Sequence, residues 1–159
     1  MGNELKNPYL PAIIDEIKTS HIFLRFLQTL KDYKIRAICD CHAHISSGKE
    51  DTIGEAPPEL MPQYSFTVED VNRLYRELFE DEGIGFTSVI FDTPLPAYDL
   101  AKKNTLLLSE RESMVADDSK KVVPFAVVTP GMDSGQIQGW VDRGAKGFKM
   151  TPRMASPNV

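Results

Sequence analysis

Apolar positions follow two different periods along this chain, and the switches between them outline its elements. From Pro11 to Tyr33, Ile14, Ile17, His21, Leu24, Phe26, Leu27 and Leu30 fall near one helical stripe, which predicts a single amphipathic helix over 11–33 with Pro11 in its first turn. Residues 36–45, RAICDCHAHI, form a short apolar run punctuated at period two and read as a buried strand. Residues 46–66, rich in Ser, Gly, Pro and acids, read as a long loop of the kind that often serves as a lid or binding loop. Thr67 resembles a helix N-cap, with Asp70 three residues on as a shortened capping box. The helix behind it carries Val68, Val71, Leu74, Tyr75 and Leu78 on one side and ends at Gly83. A second strand covers Thr87–Asp92, with TPLP turning after it, and a helix follows over about 98–116. A third strand reads VVPFAVVT, although Pro124 inside it has no N–H to give a central ladder. Gly131 and Asp133 open a short helix ending near Arg143, with Gly144 beyond its end, and GFKMT (147–151) is a fourth strand.

Strands alternating with helices argue for an α/β fold: parallel βα repeats joined by right-handed crossovers. Neither a linker nor a residue-level repeat interrupts the alternation. Composition narrows the class without naming an activity. The 159 residues suffice for one domain with a core, and 42% hydrophobic and 26% charged residues are ordinary for a soluble protein. A net charge of −5 disfavours nucleic acid as a partner, since phosphate binding needs clustered Lys and Arg. There is no apolar run long enough to span a bilayer, and the N-terminus, MGNELKNPYLPAIIDEIK, does not read as a signal peptide. Lys6 stands where a myristoylation signal wants Ser or Thr.

The two cysteines, Cys39 and Cys41, share a face in a regular strand about 6.6 Å apart, too far for a disulfide. They are therefore expected as free thiols in a reducing compartment, the cytoplasm. A CxC pair could also belong to a soft-metal site, but no second pair supports it.

The strongest chemical signal is Asp40-Cys41-His42-Ala43-His44. A regular strand sends Asp40, His42 and His44 to one face and Cys39, Cys41 and Ala43 to the other. Two imidazoles at this spacing can tilt toward a common point and reach a divalent ion at about 2.0–2.1 Å. The alternative is a pair of hydrogen-bonded, partly buried histidines. Asp40 reads equally as a pocket residue or as a polar group satisfying deeper neighbours.

DCHAHI resembles the Asp-x-His-x-His signature that opens the first barrel strand of the amidohydrolase superfamily. The order that follows is also similar: EDEGI ending a helix, TSVIFDTP, Asn104 in a helix, VVPFAVVTP, then DRGAKGFKMTP. The resemblance covers roughly residues 36–153 and points to the amidohydrolase-related branch, metal-dependent hydrolases of TIM-barrel fold. It implies a partial (β/α)8 barrel of about four strands over 36–159, preceded by an N-terminal helical extension over 1–35.

By this resemblance His42 and His44 are metal ligands, for one divalent ion rather than two, with zinc favoured. Lys149, at the end of the fourth strand, either bridges two metals as a carbamate, as in some members of the superfamily, or is an ordinary lysine that neutralises a buried acid or holds a substrate carboxylate. Asp92 and Thr129, at the ends of strands two and three, are pocket candidates that serve equally well as turn or cap residues. No catalytic residue is assigned. The implied activity is hydrolysis of a C–N or C–O bond in a small-molecule substrate, with decarboxylases and TatD-like or phosphoesterase His-x-His barrels as alternatives.

A complete barrel has eight strands and typically about 250 residues. The family's further ligands, on strands five, six and eight, have no counterpart here, and the chain contains only three histidines. The chain is therefore expected to be the truncated N-terminal half of such an enzyme and inactive alone. A non-catalytic half-barrel that pairs with itself is the competing expectation.

Overall fold

The computed structural model describes residues 7–46, 66–93 and 99–150. The expected loop over 47–65, most of the turn after the second strand and Thr151 lie outside them. The described elements are α1 (Leu10–Thr19), α2 (His21–Asp32), β1 (Ala37–Ile45), α3 (Val68–Phe79), β2 (Gly85–Asp92), α4 (Leu100–Ser113), α5 (Ala116–Lys121), β3 (Val122–Val128), α6 (Ser134–Asp142) and β4 (Gly147–Met150). The four strands form one curled, parallel, half-barrel sheet in the order β1-β2-β3-β4. The chain is thus α/β.

Helices cover one face of this sheet. Val68 and Val71 of α3 and Leu107 of α4 pack on Ala43, Ile45, Ile90 and Val122. Leu108 of α4 and Trp140 of α6 pack on Ala126 and Val128. At the other end α1 and α2 bring Leu10, Ile14, Phe23, Leu27 and Leu30 against Leu78 and Phe79 of α3. Burying side chains of this size contributes about 1.5–3 kcal/mol each, which is what holds helices this short in place.

The single helix expected over 11–33 is two helices. Ser20 adopts an extended backbone, φ −69° and ψ 136°, and its hydroxyl accepts from the Phe23 N–H to cap α2. A side-chain cap inside a continuous apolar stripe resets the phase. Phe23 turns into the core, while Leu24 and Phe26 are left exposed. The Thr67–Asp70 capping box forms as its spacing suggests. The Asp70 N–H donates to Thr67 Oγ1 at 3.1 Å and the Thr67 N–H donates to Asp70 Oδ2 at 3.0 Å. The helix it starts ends at Phe79, and a 3-10 turn over Glu80–Glu82 leads to Gly83. The helix expected over about 98–116 is α4, with α5 added before β3.

Pro124 sits inside a central strand because the ladders change there. The β2–β3 pairing runs from Ser88↔Val122 to Ile90↔Pro124, and the β3–β4 pairing begins at Phe125↔Gly147. Past Pro124, Asn104 of α4 takes the place of a strand partner. Its Nδ2 donates to the Val127 carbonyl and its Oδ1 accepts from the Val127 N–H, both at 2.8 Å. Beside it Lys103, with none of its surface exposed, faces buried Asp92 at 4.0 Å. After α6, Gly144 turns the chain at φ +103°, a conformation costly for other residues.

Candidate functional site

Strand β1 is not regular. It pairs with β2 as Asp40↔Ser88 and then Ala43↔Ile90, so three steps on β1 match two on β2. This bulge corrects the face assignment expected from strict alternation. Ile38 and Asp40 face the helices, where Ile38 packs near Phe79 and Asp40 accepts a hydrogen bond from the Tyr75 hydroxyl of α3. Beyond the bulge Ala43 and Ile45 face the helices. Cys39, Cys41, His42 and His44 are left on the opposite face, the one that also carries Phe91. Asp40 therefore does not stand beneath the histidines, although its Oδ1 accepts from the His42 backbone N–H at 2.8 Å.

The two imidazoles meet. Their Nε2 atoms are 3.0 Å apart and their ring centroids 4.9 Å apart. Both rings stand edge-on to Phe91 of β2, at 5.0 Å for His42 and 4.5 Å for His44. Lys149 of β4 lies over the same Phe91 ring, 5.1 Å from its centre to Nζ. One aromatic ring thus gathers three polar side chains from β1 and β4. Burial first, then His42 and the Lys149 ammonium, hold the His44 imidazole below the usual histidine range. That favours the neutral form, which is the form a metal requires.

The bite of the pair can be tested against metal geometry. An ion about 2.05 Å from two nitrogens 3.0 Å apart subtends about 94°. Widening the gap to about 3.35 Å reaches the tetrahedral angle, a small rotation of either ring. The donor set is thus suited to share an ion but is incomplete: no group of three or more His, Cys, Asp or Glu side chains that could hold a metal occurs among the described residues. The Nδ1 of His44 is buried without a hydrogen-bond partner, where metal-bound histidines ordinarily have one.

The other candidates separate from this cluster. Asp92 is on the helix face, fully buried opposite Lys103. Thr129 follows β3 in a turn; its N–H donates to Met132 Sδ at 3.5 Å and its carbonyl accepts from the Met132 N–H. Phe91 is the residue that sequence reasoning passed over. Its inward position could have been found by extending the alternation of TSVIFD one step past Ile90. A cavity of about 330 Å³ opens elsewhere, beside Asn72, Arg73, Arg76 and Glu110 between α3 and α4, away from the histidines. No described helix is long and apolar enough to cross a membrane. Comparisons with protein-family models, curated proteins and solved structures return no match to this chain.

Proposed function

We propose that this chain is the opening half of a (β/α)8 TIM barrel of amidohydrolase type, a cytoplasmic metal-dependent hydrolase acting on a small-molecule substrate. The observation that carries the reading is the Nε2 pair of His42 and His44, converging within 3.0 Å at the carboxyl end of β1, on the face that carries Phe91. The carboxyl ends of strands are where barrel enzymes gather their catalytic groups.

His42 and His44 would hold one divalent ion, with zinc favoured. Such an ion supplies a water acidified toward neutrality and a Lewis acid for a C–N or C–O bond under attack. Phe91 fixes both rings from below and keeps water from that side. Lys149 sets a positive charge across the cluster, suited to a substrate carboxylate or a developing oxyanion. With two protein ligands, ion affinity is modest, and no described residue serves as general base.

Titration with Zn(II), and with Co(II) followed by its visible spectrum, tests the reading. One ion bound per chain, with affinity falling at least tenfold in both His42→Ala and His44→Ala, supports it. Equal binding by wild type and both variants sinks it.

A specific observation favours self-association as a second reading. Phe148 and Met150 point from β4 to the helix face and are 42% and 60% exposed, with no described helix over them. A discrete dimer in size-exclusion chromatography supports that reading, and a monomer contradicts it.

A further inference from the structure

Below the imidazoles, β1 carries a second group able to bind a ligand. The chain's two cysteines are both exposed and unbridged, with their sulfurs 3.7 Å apart. This contact lies next to the irregular step of β1, which begins after Asp40. We propose that Cys39 and Cys41 form a dithiolate clamp for a soft d10 cation, Cu(I) above all.

The gap is too wide for a sulfur–sulfur bond of about 2.05 Å. It suits a shared ion better. A cation at the zinc-like distance of about 2.3 Å from sulfurs 3.7 Å apart subtends about 107°, close to the tetrahedral angle, so the pair suits an ion whose coordination is completed by added ligands. Thiolates are the softer ligands and take Cu(I) as well as zinc, whereas imidazole is a borderline ligand suited to zinc and other divalent ions. The two sites on β1 therefore differ in softness, and the clamp stands independently of the hydrolase reading.

The thiols already interact. Their sulfurs are within reach of an S–H···S contact, with either atom able to donate. Binding exchanges two S–H protons, released to solvent, for two metal–sulfur bonds, with no change of oxidation state. Two protein sulfurs leave room for an added thiol or water as a further ligand.

The test is an oxygen-free titration with Cu(I) in competition with a chromophoric Cu(I) chelator, using the 159-residue chain. Wild type is expected to withdraw one equivalent. Cys39→Ser and Cys41→Ser, which alter exposed side chains, should each weaken binding at least tenfold with unchanged circular dichroism. The double variant His42→Ala/His44→Ala should bind as wild type does. Absence of uptake by wild type overturns the proposal. So does uptake that survives both serine variants, or that depends on the histidines alone.

Discussion

Tyr75 of α3 donates its hydroxyl to the carboxylate of Asp40 on β1, and this bond fixes which way the acid of the Asp-x-His-x-His segment points. The acid joins strand to helix; the histidines stand on the other face. Removing the hydroxyl with Tyr75→Phe leaves a half-buried carboxylate with one acceptor fewer satisfied. The expected loss is about 1–3 kcal/mol of stability in chemical denaturation. Metal affinity should change less than twofold. A large loss of metal binding without a loss of stability would return Asp40 to the site.

The same contact makes an optical prediction. Burial first, then the bond to Asp40, push the Tyr75 phenol well above its ordinary value. Ultraviolet titration of the folded chain should show one of the five tyrosines failing to ionise with the rest, and Tyr75→Phe should remove it.

His44 gives a pH dependence with a definite sign. Its folded pKa lies below the ordinary value of about 6.5, so the unfolded chain takes up the proton first. The contribution to stability is complete above that value and is lost as pH falls through it toward the lowered folded pKa. Denaturation midpoints should decline over this window, and His44→Gln should flatten the decline. Proton NMR should show the His44 ring titrating below 6.5.

Asn104 binds both polar groups of the Val127 backbone in a buried setting. Asn104→Leu keeps the volume but orphans a donor and an acceptor. The expected cost is about 2–5 kcal/mol, read by chemical denaturation, with faster hydrogen exchange at the Val127 amide. Unchanged exchange at that amide would show that another group satisfies it.

Lys103 and Asp92 face each other with almost no exposed surface. Lys103→Met alone should cost about 3–5 kcal/mol, because it removes the positive charge facing a buried carboxylate. Adding Asp92→Leu should recover much of the loss. Failure of the second change to restore stability would mean that the two charges are not balanced against each other.

The parts of this fold legible in the sequence are those written locally. The Thr67–Asp70 cap needs only a spacing of three, and the βα alternation needs only runs of apolar residues between turn signals. Gly144 marks a helix end because few other residues tolerate its positive φ. Ser20 was hidden because an apolar stripe reads through a polar run as short as Lys18–His21. The bulge was hidden for a different reason. Whether Cys41 and His42 share a face depends on their register with Ser88 and Ile90, about 48 residues downstream. The partner of Asp40 is 35 residues away, and alternation has no means of choosing a tyrosine on a helix over a histidine two places along the strand. The convergence of His42 and His44 was legible because a spacing of two still brings both rings to one face, although His42 itself lies within the irregular step between Asp40 and Ala43.

Pro124 has a mechanical consequence. Backbone pairing between the first two strands and the last two is confined to three residue pairs, and it stops where the proline removes a donor. A load pulling those halves apart meets little ladder resistance beyond that stretch; side chains such as Asn104 carry the rest. Helices α4 and α5, which each pack on both β2 and β3, therefore tie the halves together where the ladder is short.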